Sequence, residues 1–230
     1  MKYKAIFFDR DGTLVHGNPE KILWRNETIA SWSGKPFELD YEKWTALFKK
    51  ANNGRNPWYQ KTVEDEKALT KRYYYHLLIG EGISEKLDLR AHQLFDAMWH
   101  ENNPPIPYPE TVEVLEYFYS QGYKMGVISD TSPSLQLTLE KAGIAHYFTS
   151  FTASSLVGAM KPDPIIFNAA LRAQNVTANE SLYVDDYDAE ADGARKLGFT
   201  SFLIDREDEN KSPFAIKNLK EMIAYVEAKV

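Results

Sequence analysis

Cysteine is absent from the 230-residue chain. Disulfide bonds and thiol catalysis are therefore excluded, and a cytoplasmic location is the default expectation. Long apolar runs are absent too, since no segment approaches the roughly 18 to 20 apolar residues of a membrane-spanning helix. The apolar run before the first aspartate is only four residues long, Ala5 to Phe8, which is shorter than the core of a signal peptide. We expect a soluble protein that does not enter a membrane.

Positive charge is also in short supply. The chain has 27 lysines and arginines against 33 aspartates and glutamates, a net charge of −6 and a pI near 5.5. This balance argues against a nucleic-acid binder, whose affinity depends on basic side chains that neutralise phosphates. A small anionic substrate would therefore need a local positive group, such as a metal ion or one well-placed lysine.

The rest of the composition is that of a globular protein, with 43% hydrophobic and 26% charged residues. A chain of this length can form one large domain or a core domain with a smaller insertion, and we favour the second. From Tyr108 onward, short apolar runs alternate with helical patterns, which is typical of a parallel sheet with crossover helices. With the N-terminal run, they predict an α/β fold of about five strands over residues 4–8, 123–128, 148–152, 182–184 and 201–204.

Capping residues predict several helix boundaries. A helix is expected between Pro109 and Gly122, because proline favours the first helical turn and glycine the position after the last. Asp163 followed by Pro164 predicts an N-cap and the first residue of another helix. A last amphipathic helix is expected over residues 216–228.

Residues 16–103 interrupt this alternation and contain no convincing strand. One helix face is marked by apolar residues at i, i+3, i+4 and i+7, namely Trp44, Leu47, Phe48 and Ala51. A second such pattern begins at Leu87, with Ser84 as its expected N-cap. The segment leads into the proline-rich residues 104–109, which favour extended backbone and suit a hinge. We therefore expect a helical insertion.

Two carboxylates follow the first predicted strand. They are Asp9 and Asp11 in the segment Asp9-Arg10-Asp11-Gly12-Thr13-Leu14. The carboxyl ends of parallel strands are where α/β proteins bind ligands. Two acids in different environments can act as nucleophile and proton donor. Taken alone, the pair is a hypothesis that needs partners elsewhere in the chain.

Phosphate-binding groups follow later in the chain. Ser129 and Asp130 follow the second predicted strand, where a hydroxyl and backbone amides suit phosphate oxygens, although a helix cap explains Ser129 equally well. Lys161 precedes Pro162 in a turn that could place its ammonium on a phosphoryl group. A lone Lys-Pro pair is more often a solvated loop.

An acidic cluster follows the fourth predicted strand. It includes Asp185, Asp186, Asp188 and Glu190. So many acids at a strand end are costly unless a positive group neutralises them. Mg²⁺, which prefers oxygen ligands, would do so.

These four segments, in this order, resemble the motifs of the haloacid dehalogenase (HAD) superfamily. The similarity involves Asp9 to Leu14, Ser129, Lys161 with Pro162-Asp163-Pro164, and Asp185-Asp186 followed by Gly193-Ala194-Arg195. The resemblance implies a Rossmann-like three-layer core formed by residues 1–15 and 104–230. It implies that residues 16–103 form an α-helical cap, which covers the active site and selects the substrate.

The resemblance also implies a Mg²⁺-dependent phosphohydrolase acting on a small phosphorylated metabolite. Asp9 would be the nucleophile that forms an aspartyl-phosphate, and Asp11, shut under the cap, would be the general acid and base. The phosphoryl group would be bound by Ser129, Asp130 and Lys161. The metal would be bound by Asp9, Asp186 and the backbone carbonyl of Asp11, with Asp185 nearby or bridged through water. The sequence favours neither a monomer nor a homodimer.

Some positions depart from the commonest residues of the family. They are Asp130 where asparagine often stands, Asp185 where glycine is frequent, and Glu190 where asparagine or aspartate is usual. Asp11 is more informative, because true haloacid dehalogenases lack an acid there, and a dehalogenase is therefore disfavoured. A phosphomutase on the same core is the main alternative. A non-catalytic regulatory protein is weaker, because Asp9, Asp11 and Lys161 are all present.

Other polar residues have simpler interpretations. The five histidines lack metal-ligand spacing, and we expect structural or surface roles for them. Tyr73, Tyr74 and Tyr75 are expected to pack within a cap helix. Arg55 could reach a substrate anion, although a solvated loop arginine is the favoured interpretation.

Overall fold

The computed structural model describes residues 2–54, 60–207, 209–210 and 212–228. Arg55 lies outside these ranges. The strands are β1 (Ala5–Phe8), β2 (Val15–His16), β3 (Ile106–Pro107), β4 (Lys124–Ser129), β5 (Ser150–Ala153), β6 (Ser181–Asp185), β7 (Thr200–Ile204) and β8 (Ala215–Ile216). The helices are α1 (Pro19–Ser33), α2 (Tyr41–Ala51), α3 (Val63–Gly80), α4 (Leu87–Met98), α5 (Thr111–Ser120), α6 (Leu135–Lys141), α7 (Ser154–Val157), α8 (Pro164–Gln174), α9 (Asp188–Lys196) and α10 (Lys220–Glu227).

A parallel sheet of six strands forms the core, in the order β5-β4-β1-β6-β7-β8. The predicted α/β class and the five predicted strands are confirmed. Strand β1 lies at the centre, and the chain adds β4 and β5 on one side of it before adding β6 and β7 on the other. Ligands bind in such sheets outside the carboxyl ends of the strands, at the point where the strand order reverses. That point is the end of β1, directly before Asp9.

Helices cover both faces of this sheet. All four residues of β1 are fully buried, as expected of a parallel strand packed on both sides. Ile6 and Phe8 belong to a hydrophobic cluster with buried residues of α5, α6 and α10, whereas Ala5 and Phe7 belong to another with buried residues of α8 and α9. The core therefore has three layers, and Asp9 is held in place by a rigid central strand.

Helices α1 to α4 pack into a hydrophobic cluster of their own. Its buried members include Ile29, Tyr73, Leu77, Leu94 and Phe95. The start and end of this segment lie side by side, because β2 pairs with β3 in an antiparallel ladder. None of the described helices is both long and apolar enough to cross a membrane.

Most helix predictions agree with the structure. The carboxylate of Asp163 accepts a hydrogen bond from the backbone N–H of Ile165, and Pro164 opens α8 as predicted. Two details differ. Ile216 belongs to β8 instead of the last helix, and α4 is preceded by Lys86 in the left-handed region (φ 51°), without a cap from Ser84. A two-residue strand such as β8 is too short to leave a periodic signal.

Leu77 gives a test of the helical cluster. It lies on α3 with no exposed surface, so Leu77→Ala removes about 2 to 5 kcal/mol of unfolding free energy through lost burial and a cavity. Urea unfolding followed by circular dichroism measures the loss. The matched control is Ile79→Ala on the same helix, where the side chain is 43% exposed and a smaller loss is expected. Equal losses at the two positions would contradict the packing described.

Candidate active site

The ends of three neighbouring strands bring the predicted site residues together. Asp9 follows β1, Ser129 ends β4 and Asp185 ends β6. The backbone N–H of Asp9 donates to the carbonyl of Val184 at 2.9 Å, which continues the β1–β6 ladder by one residue. The side chains of Asp9 and Ser129 are buried, with 6% and 2% of their surface exposed. The sheet itself therefore sets the spacing of these groups.

Lys161 lies at the centre of the site. Its Nζ contacts Asp9 Oδ1 at 2.7 Å, Asp185 Oδ2 at 2.7 Å and Glu190 Oε2 at 2.6 Å. The backbone N–H of Lys161 donates to Asp130 Oδ1 at 3.0 Å. Asp130 therefore holds the Lys161 turn against the end of β4, a role that the sequence did not reveal.

Asp185 is completely buried and every side-chain oxygen has a partner. Its Oδ2 accepts from Lys161 Nζ and from the hydroxyl of Tyr183. Its Oδ1 accepts from the backbone N–H of Tyr187 at 2.9 Å. These contacts make Asp185 a group that fixes Lys161 and the turn after β6.

Carboxylates outnumber the single ammonium in this cluster. Burial raises the pKa of Asp9 well above its ordinary value, and Asp185 adds to the effect, although Lys161 opposes it. Burial likewise raises the pKa of Asp186 to about 6 and that of Glu190 to about 7, again with a contribution from Asp185. Protons or a cation therefore have to offset the excess negative charge.

Three of these acids could bind a metal ion together. Asp9, Asp185 and Asp186 each offer an oxygen, and these oxygens lie within 4.8 Å of one another. Asp186 approaches the backbone of the opposite loop so closely that a Cβ on Gly12 would lie 1.9 Å from its Oδ2. Gly12 also has φ +72°, so glycine is required there for two reasons.

The exposure of Asp11 differs from the expectation that the cap would enclose this residue. Its side chain is 63% exposed and accepts hydrogen bonds from Arg10, at 3.0 Å from Nε and 2.6 Å from Nη2. The carboxylate of Asp11 therefore stands apart from the cluster around Lys161.

Arg206 supports the loop that carries Asp11, and sequence reasoning missed it. Its Nε and Nη2 donate to the carbonyls of Gly12 and Thr13 at 3.1 and 2.7 Å. Its Nη1 donates to Glu110 Oε1 at 2.7 Å. Nearly 200 residues separate the arginine from this loop, so no local pattern could have identified the contact.

Glu66 links the helical cluster to the sheet edge and was also missed. It lies on α3, and its two carboxylate oxygens accept from the backbone N–H and the hydroxyl of Ser134, at 3.0 and 2.8 Å. His100 Nε2 lies 2.9 Å from the same hydroxyl. Nearby, the Nζ of Lys61 donates to the carbonyl of Ser155. These contacts hold the helical segment over the end of β4.

Comparison with known proteins gives the family. Residues 3–198 match the family described as haloacid dehalogenase-like hydrolase. The chain belongs to this family. It is 27% identical over 231 residues to a glyceraldehyde 3-phosphate phosphatase of Methanocaldococcus jannaschii, covering 97% of this chain and 96% of the relative. It is 25% identical to a phosphoglycolate phosphatase of Vibrio parahaemolyticus, with coverage of 94% and 89%. The family match confirms the predicted superfamily, and the phosphatase relatives support a phosphohydrolase.

Solved structures agree on the fold. A HAD phosphatase from Thermococcus onnurineus has a TM-score of 0.65 at 21% identity, covering 97% of this chain and 98% of that one. A 2-haloacid dehalogenase from Pseudomonas syringae has a TM-score of 0.68 at 22% identity, with coverage of 99% and 100%. Phosphatases and dehalogenases share this fold, so the choice between the two chemistries depends on the side chains of the site.

The raised pKa values predict how stability depends on pH in metal-free protein. The folded protein holds protons on Asp186 and Glu190 up to about pH 6 and 7, whereas the unfolded chain releases them near pH 4. The folded state therefore binds more protons over this range, and these groups make the unfolding free energy rise as the pH falls from 8 to 5.5.

Urea unfolding in EDTA at several pH values measures this dependence, with Glu190→Gln as the comparison. The variant lacks one of these titrating groups, so its stability should rise less on acidification than that of the wild type. Identical pH slopes for the two proteins would show that Glu190 titrates normally.

Proposed function

We propose that this protein is a Mg²⁺-dependent phosphohydrolase that acts on a small phosphomonoester through an aspartyl-phosphate on Asp9. The observation that carries the proposal is the contact between buried Asp9 and buried Lys161 at the point where the strand order reverses. A nucleophile for phosphorus and a cation for the phosphoryl oxygens are thus adjacent. The phosphatase relatives support the same reaction class.

The residues present fit a hard divalent cation. The converging groups are all carboxylate oxygens, which suit a hard cation, and the chain has no cysteine to offer a thiolate. We assign Asp9, Asp186 and the backbone carbonyl of Asp11 as the ligands of the cation. Asp185 would not bind it directly, because its carboxylate is bonded to Lys161. When bound, the cation would offset the negative charge of the carboxylates and of the phosphoryl group.

The side chains would then divide the reaction between them. A carboxylate oxygen of Asp9 attacks phosphorus, and the bond from phosphorus to the ester oxygen breaks. Asp11 donates a proton to the leaving oxygen, which departs as an alcohol. Water then attacks the phosphorus of the aspartyl-phosphate, Asp11 accepts its proton, and Asp9 is released with free phosphate. Lys161 and Ser129 would hold the phosphoryl oxygens throughout.

Residues 16–103 would act as the cap that selects the substrate. Their helices are joined to the sheet edge by Glu66 and His100, beside the proposed phosphate site. The relatives named above act on glyceraldehyde 3-phosphate and phosphoglycolate, which supports a small phosphorylated metabolite as the substrate class.

Asp9→Asn tests the proposed nucleophile. Because an amide cannot form the aspartyl-phosphate, phosphate release should fall by at least about 1,000-fold with the fold retained. The assay follows free phosphate from a panel of phosphomonoesters, with Mg²⁺ and with EDTA. Asp192→Asn is the matched control, because it makes the same change on the outer part of α9.

Wild-type activity should require Mg²⁺ and should survive in the Asp192 variant. Activity in Asp9→Asn at the wild-type rate would eliminate the proposed nucleophile. Phosphate transfer to a second hydroxyl without release of free phosphate would indicate a phosphomutase. Halide release from a 2-haloacid without metal would indicate a dehalogenase.

A further inference from the structure

Arg10 is a buried cation between the two catalytic carboxylates. Its side chain is only 12% exposed. Burial by itself would lower the pKa of the guanidinium, but Asp11, Asp9 and Glu66 more than offset this and the pKa is raised. A guanidinium stays protonated in proteins, so Arg10 is a permanent cation near Asp9, Asp11 and Glu66 of α3.

The nearby carboxylates differ in whether they bond this guanidinium directly. Asp9 is bound to Lys161, and both oxygens of Glu66 are bound to Ser134. Asp11 is the one described carboxylate that Arg10 bonds directly, through Nε and Nη2 to a single oxygen, Oδ2. Within the described ranges Nη1 donates no hydrogen bond. Nη1 is therefore available to an incoming anion, which can contact the guanidinium before Asp11 is displaced.

This ion pair conflicts with the role of Asp11 in the proposed reaction. A carboxylate that exchanges a proton with the leaving oxygen has to face that oxygen, but here it faces Arg10. The conflict disappears if the substrate supplies an anion that takes the place of Asp11 on the guanidinium. Because that anion would occupy the place of Asp11, whose proposed role is to act on the leaving oxygen, it would belong to the leaving part of the substrate.

We propose that Arg10 recognises a second anionic group on the leaving part of the substrate, and that this group displaces Asp11 from the guanidinium. The proposal rests on the proposed phosphohydrolase function and narrows its substrate class to short phosphomonoesters with a nearby carboxylate or second phosphate. The surrounding carboxylates and the net charge of −6 would repel a substrate with two anionic groups, and a cation in addition to Lys161 offsets this repulsion.

A pair of similar esters tests this selectivity. Phosphoglycolate carries a carboxylate where 2-hydroxyethyl phosphate carries a neutral hydroxymethyl group. The wild type should favour phosphoglycolate by about tenfold or more in kcat/KM, as expected for a charge-assisted bidentate contact. Arg10→Gln should reduce this preference by about tenfold or more, and Arg10→Lys, which keeps the charge without the planar fork, should reduce it less.

Arg172→Gln is the matched control. It removes the same charge from an exposed position in the last turn of α8, at the end of the helix away from Lys161, and should keep the wild-type preference.

The bisphosphate of ethylene glycol is a third substrate, in which a phosphate replaces the carboxylate of phosphoglycolate. A larger kcat/KM for this ester than for phosphoglycolate would assign the second anion as a phosphate, and a smaller one as a carboxylate.

The possible failures are distinct. No phosphate release from any ester would overturn the proposed function and this inference with it. Release from both esters without a wild-type preference would overturn the inference alone, even if the Arg10 variants failed to fold. An equal loss of kcat for both esters in Arg10→Gln would also overturn it, because Arg10 would then only position Asp11.

Discussion

The site depends on one buried ammonium group that contacts three carboxylates. Lys161 joins Asp9 from β1, Asp185 from β6 and Glu190 from α9. Without this cation, several buried negative charges would lie at one sheet edge, and the cost of desolvating them would work against folding. The same cation stands where a phosphoryl group would meet Asp9, so one interaction serves both the fold and the proposed chemistry.

The supporting contacts are arranged around this centre. Asp130 fixes the backbone of Lys161, Tyr183 and Tyr187 fix Asp185, and Arg206 fixes the loop that carries Asp11. Each holds a polar group with a directed hydrogen bond. The remaining excess of negative charge makes a divalent cation a good fit. Burial raises the pKa values of Asp186 and Glu190, and the charge of Asp185 adds to the effect.

Much of the fold was predictable because its signals are local. Buried parallel strands have short apolar runs in their sequences, and both Ala5 to Phe8 and Met125 to Ile128 have this form. The helix faces follow the 3.6-residue period, and the Asp163-Pro164 cap marked the start of α8. The short strands β2, β3 and β8 were missed because two residues carry no period, and their pairing depends on partners far along the chain.

The sequence by itself determined which chemical groups are available and that they follow strand ends, because residue identity and apolar spacing are local properties. It thereby determined the family and the four segments of the site. Only the tertiary structure decided how those groups meet. Lys161 bonds Asp9, which lies 152 positions away in the chain, and Asp185 bonds the same ammonium. Asp11 faces Arg10. The physical reason is that side-chain contacts depend on the path of the folded chain, which no local spacing records.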